Sequence, residues 1–343
     1  FSGSDIDLDE LTELNKSKIK DDYDIILSQL PQLQPIVAKK HFHETGTQRI
    51  YQRFCLVLTN IKKAVEEIVR LDISPASAGA FIFLCKTKED TQKDFEDKLK
   101  ELSQIKFPKP VIIGTSKNFS EFFNYALEIA ALKRVKSTVD SIEGDAIAKR
   151  ELNGRLTAYQ NLLFNSLYLN FENADWTFNK NKVKENNLSA IASIISNEVF
   201  SLTPIIQNEL VVRDRLSSMS MSGASNLLTK VFNNSYLKNL GMEGNPSEFG
   251  IYLSLIKSNN LHVKKGDEFV ISIDNTNNKS IKIIYDEFLK LIKGSKEAVN
   301  VSDIYAHFVK QPYGIKIGLL PILIGIFFKA TEASCAFYNK DEQ

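Results

Sequence analysis

Three short β-type runs in the first third of the chain constrain its fold most. They lie at 51–58, 80–85 and 111–113, and the segments between them, 60–71 and 89–104, carry apolar residues at helical spacing. Short strands that are apolar throughout and alternate with helices are typical of a parallel sheet with helices on both faces. We therefore predict a small, parallel, three-layer α/β domain.

The remainder of the chain has a mostly helical pattern. Two long helices are predicted between 119 and 170, and the segment 175–184, which contains the only Trp, is predicted to be a short hairpin or loop. The next stretch combines helices with the alternating run 268–273, which is bounded by Gly266 and a cluster of turn residues. Helices followed by a hairpin indicate a winged-helix-like unit, and the pattern recurs towards the C-terminus. Helices are expected near 25–40, 187–199, 204–213, 219–232, 247–258, 280–293, 301–310 and 318–331, with a last strand at 335–338.

The predicted fold class is accordingly α/β plus mostly α, with a helical connector between the sheet domain and two winged-helix-like C-terminal units. An acidic arm precedes the sheet domain, because residues 1–24 hold eight acidic side chains and three lysines. The predicted boundaries are 1–48 for the acidic arm and a helix, 49–136 for the small α/β domain, 137–200 for the connector, 201–275 for the first winged-helix-like unit and 276–343 for the second.

Composition excludes several classes of protein. The 343 residues are 43% hydrophobic and carry 43 Lys and Arg against 42 Asp and Glu. Such a chain is neither disordered nor globally attracted to nucleic acid or to anionic membranes. The longest uncharged apolar run, 317–328, is shorter than the roughly 20 residues that span a bilayer. We expect a cytoplasmic protein without a membrane partner.

The cysteines indicate the same compartment. Cys55, Cys85 and Cys335 are odd in number, and each lies inside an apolar run. Cysteines in such positions are usually buried and free. We expect a reducing environment, with Cys55 and Cys85 as buried neighbours on adjacent strands.

Catalytic signatures are missing from the sequence. None of the 15 glycines is followed by Lys, as a phosphate-binding P-loop requires, and no G-x-S-x-G motif occurs. Residues 282–287 superficially match a Walker B strand, but the apolar residues continue at helical spacing and indicate an amphipathic helix. We predict no catalytic residue and no cofactor in this chain.

Two clusters of polar residues are candidate ligand sites. His41, His43 and Glu44 have ligand chemistry, but no second cluster supports them and Gly46 suits a helix end, so no metal site is predicted. The segment 114–116 ends the third predicted strand and leads into a helix. It fits either an anion site at a helix N-terminus or ordinary helix capping.

Basic and aromatic residues near the C-terminus are candidates for contacts with nucleic acid. Phosphate contacts in a winged helix would come from Lys310, Tyr313, Lys316 and Lys329. The intervening helix at 318–331 is apolar on every side, which indicates an interaction module rather than a reader of DNA bases.

Seven segments, taken in order, resemble the region that follows the ATPase part of very large prokaryotic P-loop ATPases from phage-defence gene clusters, of the BREX type and related systems. The likeness runs from about 39 to 340. The segments are KKHFHETGTQRIYQRF, FIFLCKTKED, KPVIIGTSKNFSEFFNYALEIAALKRV, AIAKRELNGRL, TPIIQNELVVRDRLSS, LGMEGNPSEFGIYLSLI and QPYGIKIGLLPILIGIFF.

The resemblance implies a non-catalytic regulatory and assembly region of a defence ATPase. In that family the nucleotide, ATP with Mg, is bound by an N-terminal domain with a Walker A motif. This chain lacks the motif and starts at Phe1 without Met, so we expect it to be part of a longer protein. The implied partners are the other domains of that ATPase, defence-system proteins and the DNA backbone.

The same resemblance supplies candidate residues and leaves alternatives open. The family's Asn-Glu-Leu…Arg motif matches Asn208, Glu209, Leu210 and Arg213, and Arg213 and Arg215 are candidates for contact with a nucleotide bound elsewhere in the full-length protein. A salt-bridged structural turn is the other interpretation of these residues. For the whole chain, the alternatives are a small-ligand or enzymatic α/β domain with a site near Gly114, and a purely structural scaffold. A homo-oligomer is compatible with each of them.

Overall fold

The computed structural model describes residues 6–70, 77–105, 107–116, 121–295 and 297–334. The chain divides into two compact units. Unit 1 contains the described residues up to Ile36 and those from Ile50 to Ile191, and unit 2 contains Val37–Arg49 and the described residues from Ala192 onward.

Unit 1 is an α/β unit, as the sequence predicts. Its helices are α1 (Leu8–Ile19), α2 (Tyr23–Leu27), α4 (Ile61–Val69), α5 (Gln92–Leu102), α6 (Phe122–Thr138), α7 (Asp140–Gly144) and α8 (Ala146–Glu172). Strands β1 (Ile36–Val37), β2 (Ile50–Val57), β3 (Ser77–Cys85), β4 (Val111–Thr115), β5 (Asp175–Phe178) and β6 (Asn181–Lys182) form one sheet in that order.

The sheet is mixed rather than wholly parallel. Strands β2, β3 and β4 are parallel neighbours, which confirms the prediction for the three apolar runs. The predicted hairpin at 175–184 is also present, but β5 pairs antiparallel with β4 and so extends the same sheet. Sequence pattern could not reveal this pairing, because it joins segments that are far apart along the chain.

The central strand β3 is buried on both faces. Ile82 and Leu84 pack in the cluster that contains α4 and α5 residues, whereas Phe83 packs against the tilted ring of Phe171 of α8 on the other face. Phe81 meets Trp176 of β5 edge to face on that second side. Helices therefore cover both faces of the parallel strands, as continuous apolar strands require.

Cys55 and Cys85 lie on the adjacent strands β2 and β3, as expected. Cys85 is buried, whereas Cys55 is only half-buried, and both are free thiols. Burial, followed by a hydrogen bond with Cys55, raises the pKa of Cys85 well above its ordinary value. Cys85 is therefore a poor thiolate. Cys335 and the strand expected at 335–338 lie outside the described residues.

The acidic segment expected to be a solvated arm contains α1. Asp7 caps this helix by accepting a hydrogen bond from the Glu10 amide at 3.0 Å. Leu8 and Ile19 are buried, and Lys16 forms an ion pair with Glu128 of α6. The charged residues of α1 thus lie beside an apolar face that its sequence carries at helical spacing.

The described part of unit 2 is mostly helical and includes a hairpin. Its helices are α3 (Lys39–Thr45), α9 (Leu188–Val199, which begins in unit 1), α10 (Ser218–Asn233), α11 (Ser247–Ile251), α12 (Lys279–Lys293), α13 (Val301–Val309) and α14 (Leu320–Thr331). A π-helical turn (Tyr252–Lys257) continues α11, and the strands β7 (His262–Lys265) and β8 (Glu268–Ile271) pair antiparallel.

The helix expected at 204–213 does not form: residues 204–208 have no regular secondary structure, and a turn and a bend follow at 209–213. Asn208 accepts a hydrogen bond from the Leu210 amide at 2.9 Å and donates one to Ser254 Oγ at 2.6 Å. Asn side chains that bond to nearby backbone groups compete with helix formation. The apolar spacing of this segment reflects burial of Val211 and Val212 rather than a helix.

Helix α14 is enclosed by its own unit. Phe327 contacts the rings of Tyr285 and Phe288 of α12, and Gly325 lies against Leu228 of α10. The helix is buried on more than one side, as its apolar circumference requires, but it packs within unit 2 and does not present the apolar surface of the interaction module expected from the sequence. Among the described residues, no helix combines the length and apolar character needed to cross a bilayer.

Candidate functional site: the arginine loop

Residues 209–217 of unit 2, here called the arginine loop, carry Arg213 and Arg215. The loop begins with buried anchors, since Val211 and Val212 lie in the unit 2 core. The Val212 amide donates to the Asn208 carbonyl at 3.0 Å. The loop therefore starts from a fixed backbone.

A second segment, 310–318, holds the arginine loop from the other side. Lys316 Nζ donates to Asp214 Oδ2 at 2.6 Å, and the Lys316 side chain is almost wholly buried. The Gly318 amide donates to the Arg213 carbonyl at 2.8 Å. A Cβ on Gly318 would lie 2.8 Å from that carbonyl oxygen, so the close approach requires glycine.

The two arginines point away from this anchored backbone. Arg213 is 56% exposed, and its Nη2 lies 3.9 Å from Glu209 Oε2, a long contact between exposed groups that contributes little to stability. Arg215 is also exposed. Because Lys316 neutralises the intervening Asp214, the exposed charge of the loop comes from its arginines and Glu209.

Exposed apolar side chains accompany the arginines. Leu210 and Ile317 are each about half-exposed, at 52% and 48%, and Met219 follows the loop at 77%. Exposed apolar groups beside guanidinium groups are typical of surfaces that bind other proteins.

The structure separates the four residues proposed for contact with nucleic acid. Lys310 is exposed at the C-terminal end of α13. Tyr313 is buried against Phe308 and His307, and Lys329 forms an ion pair with Glu332 at 2.6 Å. Lys316 holds the arginine loop. Of these four residues, Lys310 is the exposed cation for which the described residues show no ion pair.

A buried cation supports segment 310–318. Arg49 Nη2 donates to the Gly314 carbonyl at 2.6 Å and to Thr203 Oγ1 at 3.0 Å. Its guanidinium group lies 4.0 Å from the centre of the Phe200 ring. The same Thr203 hydroxyl donates to the Tyr313 carbonyl at 2.7 Å. Sequence reasoning missed Arg49, because its partners are more than 150 residues away.

His41 is part of a hydrogen-bond chain rather than a metal site. Asn197 Nδ2 donates to Glu44 at 2.9 Å, which turns Asn197 Oδ1 towards His41 Nδ1 at 2.6 Å. Burial, and then Arg49, lower the pKa of His41. His43 is exposed, and its carbonyl accepts from Gln207. Across the described ranges, no three His, Cys, Asp or Glu side chains are grouped to hold a metal ion.

In unit 1, the carboxyl ends of the parallel strands lie beside a cleft that is mainly acidic, unlike the basic arginine loop. An open cleft of about 520 Å³ lies beside Thr59, after β2, and Glu89, after β3. Its remaining lining residues are mainly acidic: Lys18, Asp21, Asp22, Tyr23 and Asp24. Carboxylates repel phosphate, so this cleft does not suit a nucleotide.

Gly114 has a packing role in β4. A Cβ at this position would lie 2.4 Å from Trp176 Cζ3, so the buried indole requires glycine opposite it. Thr115 and Ser116 follow at the end of the strand, and Lys117 lies outside the described residues. The glycine is therefore explained without a ligand.

Comparisons with protein-family models, curated proteins and solved structures found no match to this chain.

Proposed function

We propose that this chain is a non-catalytic regulatory and assembly region that acts with a large prokaryotic P-loop ATPase of phage defence, coupling the nucleotide state of that ATPase to protein partners. ATP and Mg belong to the ATPase part. The arginine loop carries the proposal, because it presents two exposed guanidinium groups on a backbone that is fixed by buried contacts.

The arginine loop is preorganised for contact with phosphate. A guanidinium group offers a planar fork of donors that matches phosphate oxygens. Arginines that stabilise a transferring phosphoryl group act on charge that develops in the transition state, so their positions must be set in advance. The Asp214–Lys316 ion pair and the bond from Gly318 to Arg213 supply that support. Arg213 and Arg215 are therefore our candidates for contact with a nucleotide held by the ATPase part.

The test uses the full-length ATPase that we propose to contain this region. The double variant Arg213→Ala, Arg215→Ala should lower ATP turnover at least about tenfold, while nucleotide binding and the fold are retained. Arg134→Ala, at an exposed position of α6, is the matched control and should leave turnover unchanged. Unchanged turnover in the double variant, with the fold intact, would contradict the nucleotide contact and favour the scaffold alternative.

A winged-helix-like interpretation of unit 2 and contact with the DNA backbone belong to the same proposal. Helices α10 and α11 followed by the β7–β8 hairpin support it. At the tip of the hairpin, Lys264 and Lys265 are offset by Asp267 and Glu268, so Lys310 is the better candidate for a phosphate contact. Lys310→Glu should weaken binding of duplex DNA and reduce its dependence on salt. If fluorescence anisotropy gives the same DNA affinity for the unaltered chain and for Lys310→Glu, this role of Lys310 is excluded.

A further inference from the structure

Helix α8 presents an exposed face that its own unit does not cover. The buried face of the helix contains Leu152, Leu163, Leu167 and Phe171. On the opposite face, residues spaced by three or four are all exposed. They are Arg150, Gly154, Thr157, Asn161, Phe164, Tyr168 and Glu172.

The side chains at the two ends of this face differ in size. Phe164 and Tyr168, near the C-terminal end, are 56% and 48% exposed. Gly154 and Thr157, near the N-terminal end, are small, and a Cβ placed on Gly154 would meet no atom within 4 Å. The packing of the isolated chain therefore does not explain the glycine. A glycine in the interior of a helix costs about 1 kcal/mol relative to alanine.

The charges at the ends of the face are also complementary. Arg150 and Glu172 lie equally far from Asn161, one towards each terminus, and so do Gly154 and Tyr168. An antiparallel copy of the helix, centred near Asn161, would bring each arginine to the glutamate of the other copy. It would also lay the aromatic rings over the glycine and threonine.

We propose that this face of α8 is a self-association surface, on which a second copy of the chain packs antiparallel about a two-fold axis. In a two-fold interface every contact occurs twice, so both arginine–glutamate pairs and both aromatic-over-glycine contacts form together. The exposed aromatic rings lie inside the charged ends, so apolar contacts would be surrounded by a polar rim, as is usual in protein interfaces, with Asn161 of each copy near the two-fold axis. The inference does not depend on the proposed link to an ATPase.

The decisive variant is Gly154→Leu. The space around Gly154 and its position within a helix mean that the monomer accommodates leucine with equal or higher melting temperature. The same side chain blocks the approach of Tyr168 from a second copy. Light scattering after size exclusion, over a series of protein concentrations, should show a dimer mass for the unaltered chain and a monomer mass for the variant.

Charge reversal tests the orientation of the pairing. Arg150→Glu should weaken the dimer on the order of tenfold, because it sets like charges together at two symmetric places. Combining it with Glu172→Arg should restore the original affinity. The exposed apolar residue Ile283 of α12 is the control, and Ile283→Ser should leave the mass unchanged.

The outcomes separate self-association from other uses of the face. A monomer mass for the unaltered chain at every concentration overturns the proposal, whatever other partner the face binds. A dimer that persists in Gly154→Leu, or in the double variant Phe164→Ser, Tyr168→Ser, places the interface elsewhere and overturns it too. Loss of the dimer in both, with folding retained, supports it.

Discussion

We expect two buried histidines of unit 2 to make the stability of the protein depend on pH. His41 is fully buried. His262 donates from Nε2 to the Ser235 carbonyl at 2.8 Å and has the Tyr252 hydroxyl at 3.0 Å from Nδ1, an arrangement that suits the neutral ring. Burial is the main cause that lowers the pKa of each below the ordinary value of 6.5.

We therefore expect stability to fall on acidification. Below pH 6.5 the unfolded chain takes up protons at these histidines while the folded chain resists them, so protonation favours unfolding. The stabilisation is complete above that pH and is lost as pH falls towards the folded-state pKa values. Urea unfolding at about pH 7.5 and pH 5.5 measures the difference.

A substituted chain isolates the histidine contribution from that of the carboxylates. His41→Gln should show a smaller loss of unfolding free energy between the two pH values than the unaltered chain. His43→Gln, at an exposed position of the same helix, should show the same loss as the unaltered chain. An equal pH dependence in all three proteins would contradict the assignment to His41.

Gly114 sets the packing of Trp176, and its substitution should destabilise unit 1. The Cβ of Gly114→Ala would meet the indole at 2.4 Å, a distance that forces the buried ring or the strand to move. Overpacking of this kind costs about 1–3 kcal/mol. Urea unfolding followed by the fluorescence of the single Trp measures it. Gly144→Ala, where a Cβ meets nothing within 4 Å, should leave stability nearly unchanged.

The Lys316–Asp214 pair should be worth more than an exposed ion pair. Lys316→Ala leaves the partly buried Asp214 carboxylate without this partner, and we expect a loss of about 1–3 kcal/mol in unfolding free energy. Adding Asp214→Ala should restore part of the loss, since the unpaired charge is then removed. Additive effects of the two substitutions would show that the side chains do not interact.

At the scale of elements, α14 is the main apolar element of unit 2. Phe327 is fully buried between aromatic rings of α12, so Phe327→Ala should cost about 3–5 kcal/mol. Phe328 is less buried, and Phe328→Ala should cost less. Equal losses from the two substitutions, measured by denaturant unfolding, would contradict this arrangement.

Elements were predictable where their pattern is local. The parallel strands β2, β3 and β4 follow from short β-type runs that alternate with helical segments, and α12 and α14 follow from apolar spacing and from Pro321 near the start of α14. The segment 204–213 was not predictable, because its apolar residues have helical spacing but Asn208 bonds to Ser254 and to its own backbone. Tertiary hydrogen bonds decided the local conformation there.

For the whole molecule we predict no nucleotide hydrolysis by the purified chain. No glycine in the sequence is followed by lysine, so the backbone loop and lysine that hold phosphate in P-loop enzymes are missing. Phosphate release with ATP and Mg should equal that of the buffer. Turnover that disappears when a residue of this chain is substituted would contradict the prediction.

The sequence by itself determined the α/β class, the parallel centre of the sheet, most helices and the apolar character of α14. These properties depend on periodicity within a few turns of one helix or strand, which the order of residues records directly. It also singled out Arg213 and Arg215, through a resemblance and not through geometry.

Tertiary structure alone decided which residues from distant parts of the chain contact each other. Asp214 meets Lys316, Gly114 accommodates Trp176, and Arg49 holds the carbonyl of Gly314. Each pair joins positions about 60 to 265 residues apart. Such contacts follow from how the whole chain closes on itself. No local pattern encodes them, because either partner alone is compatible with many surroundings.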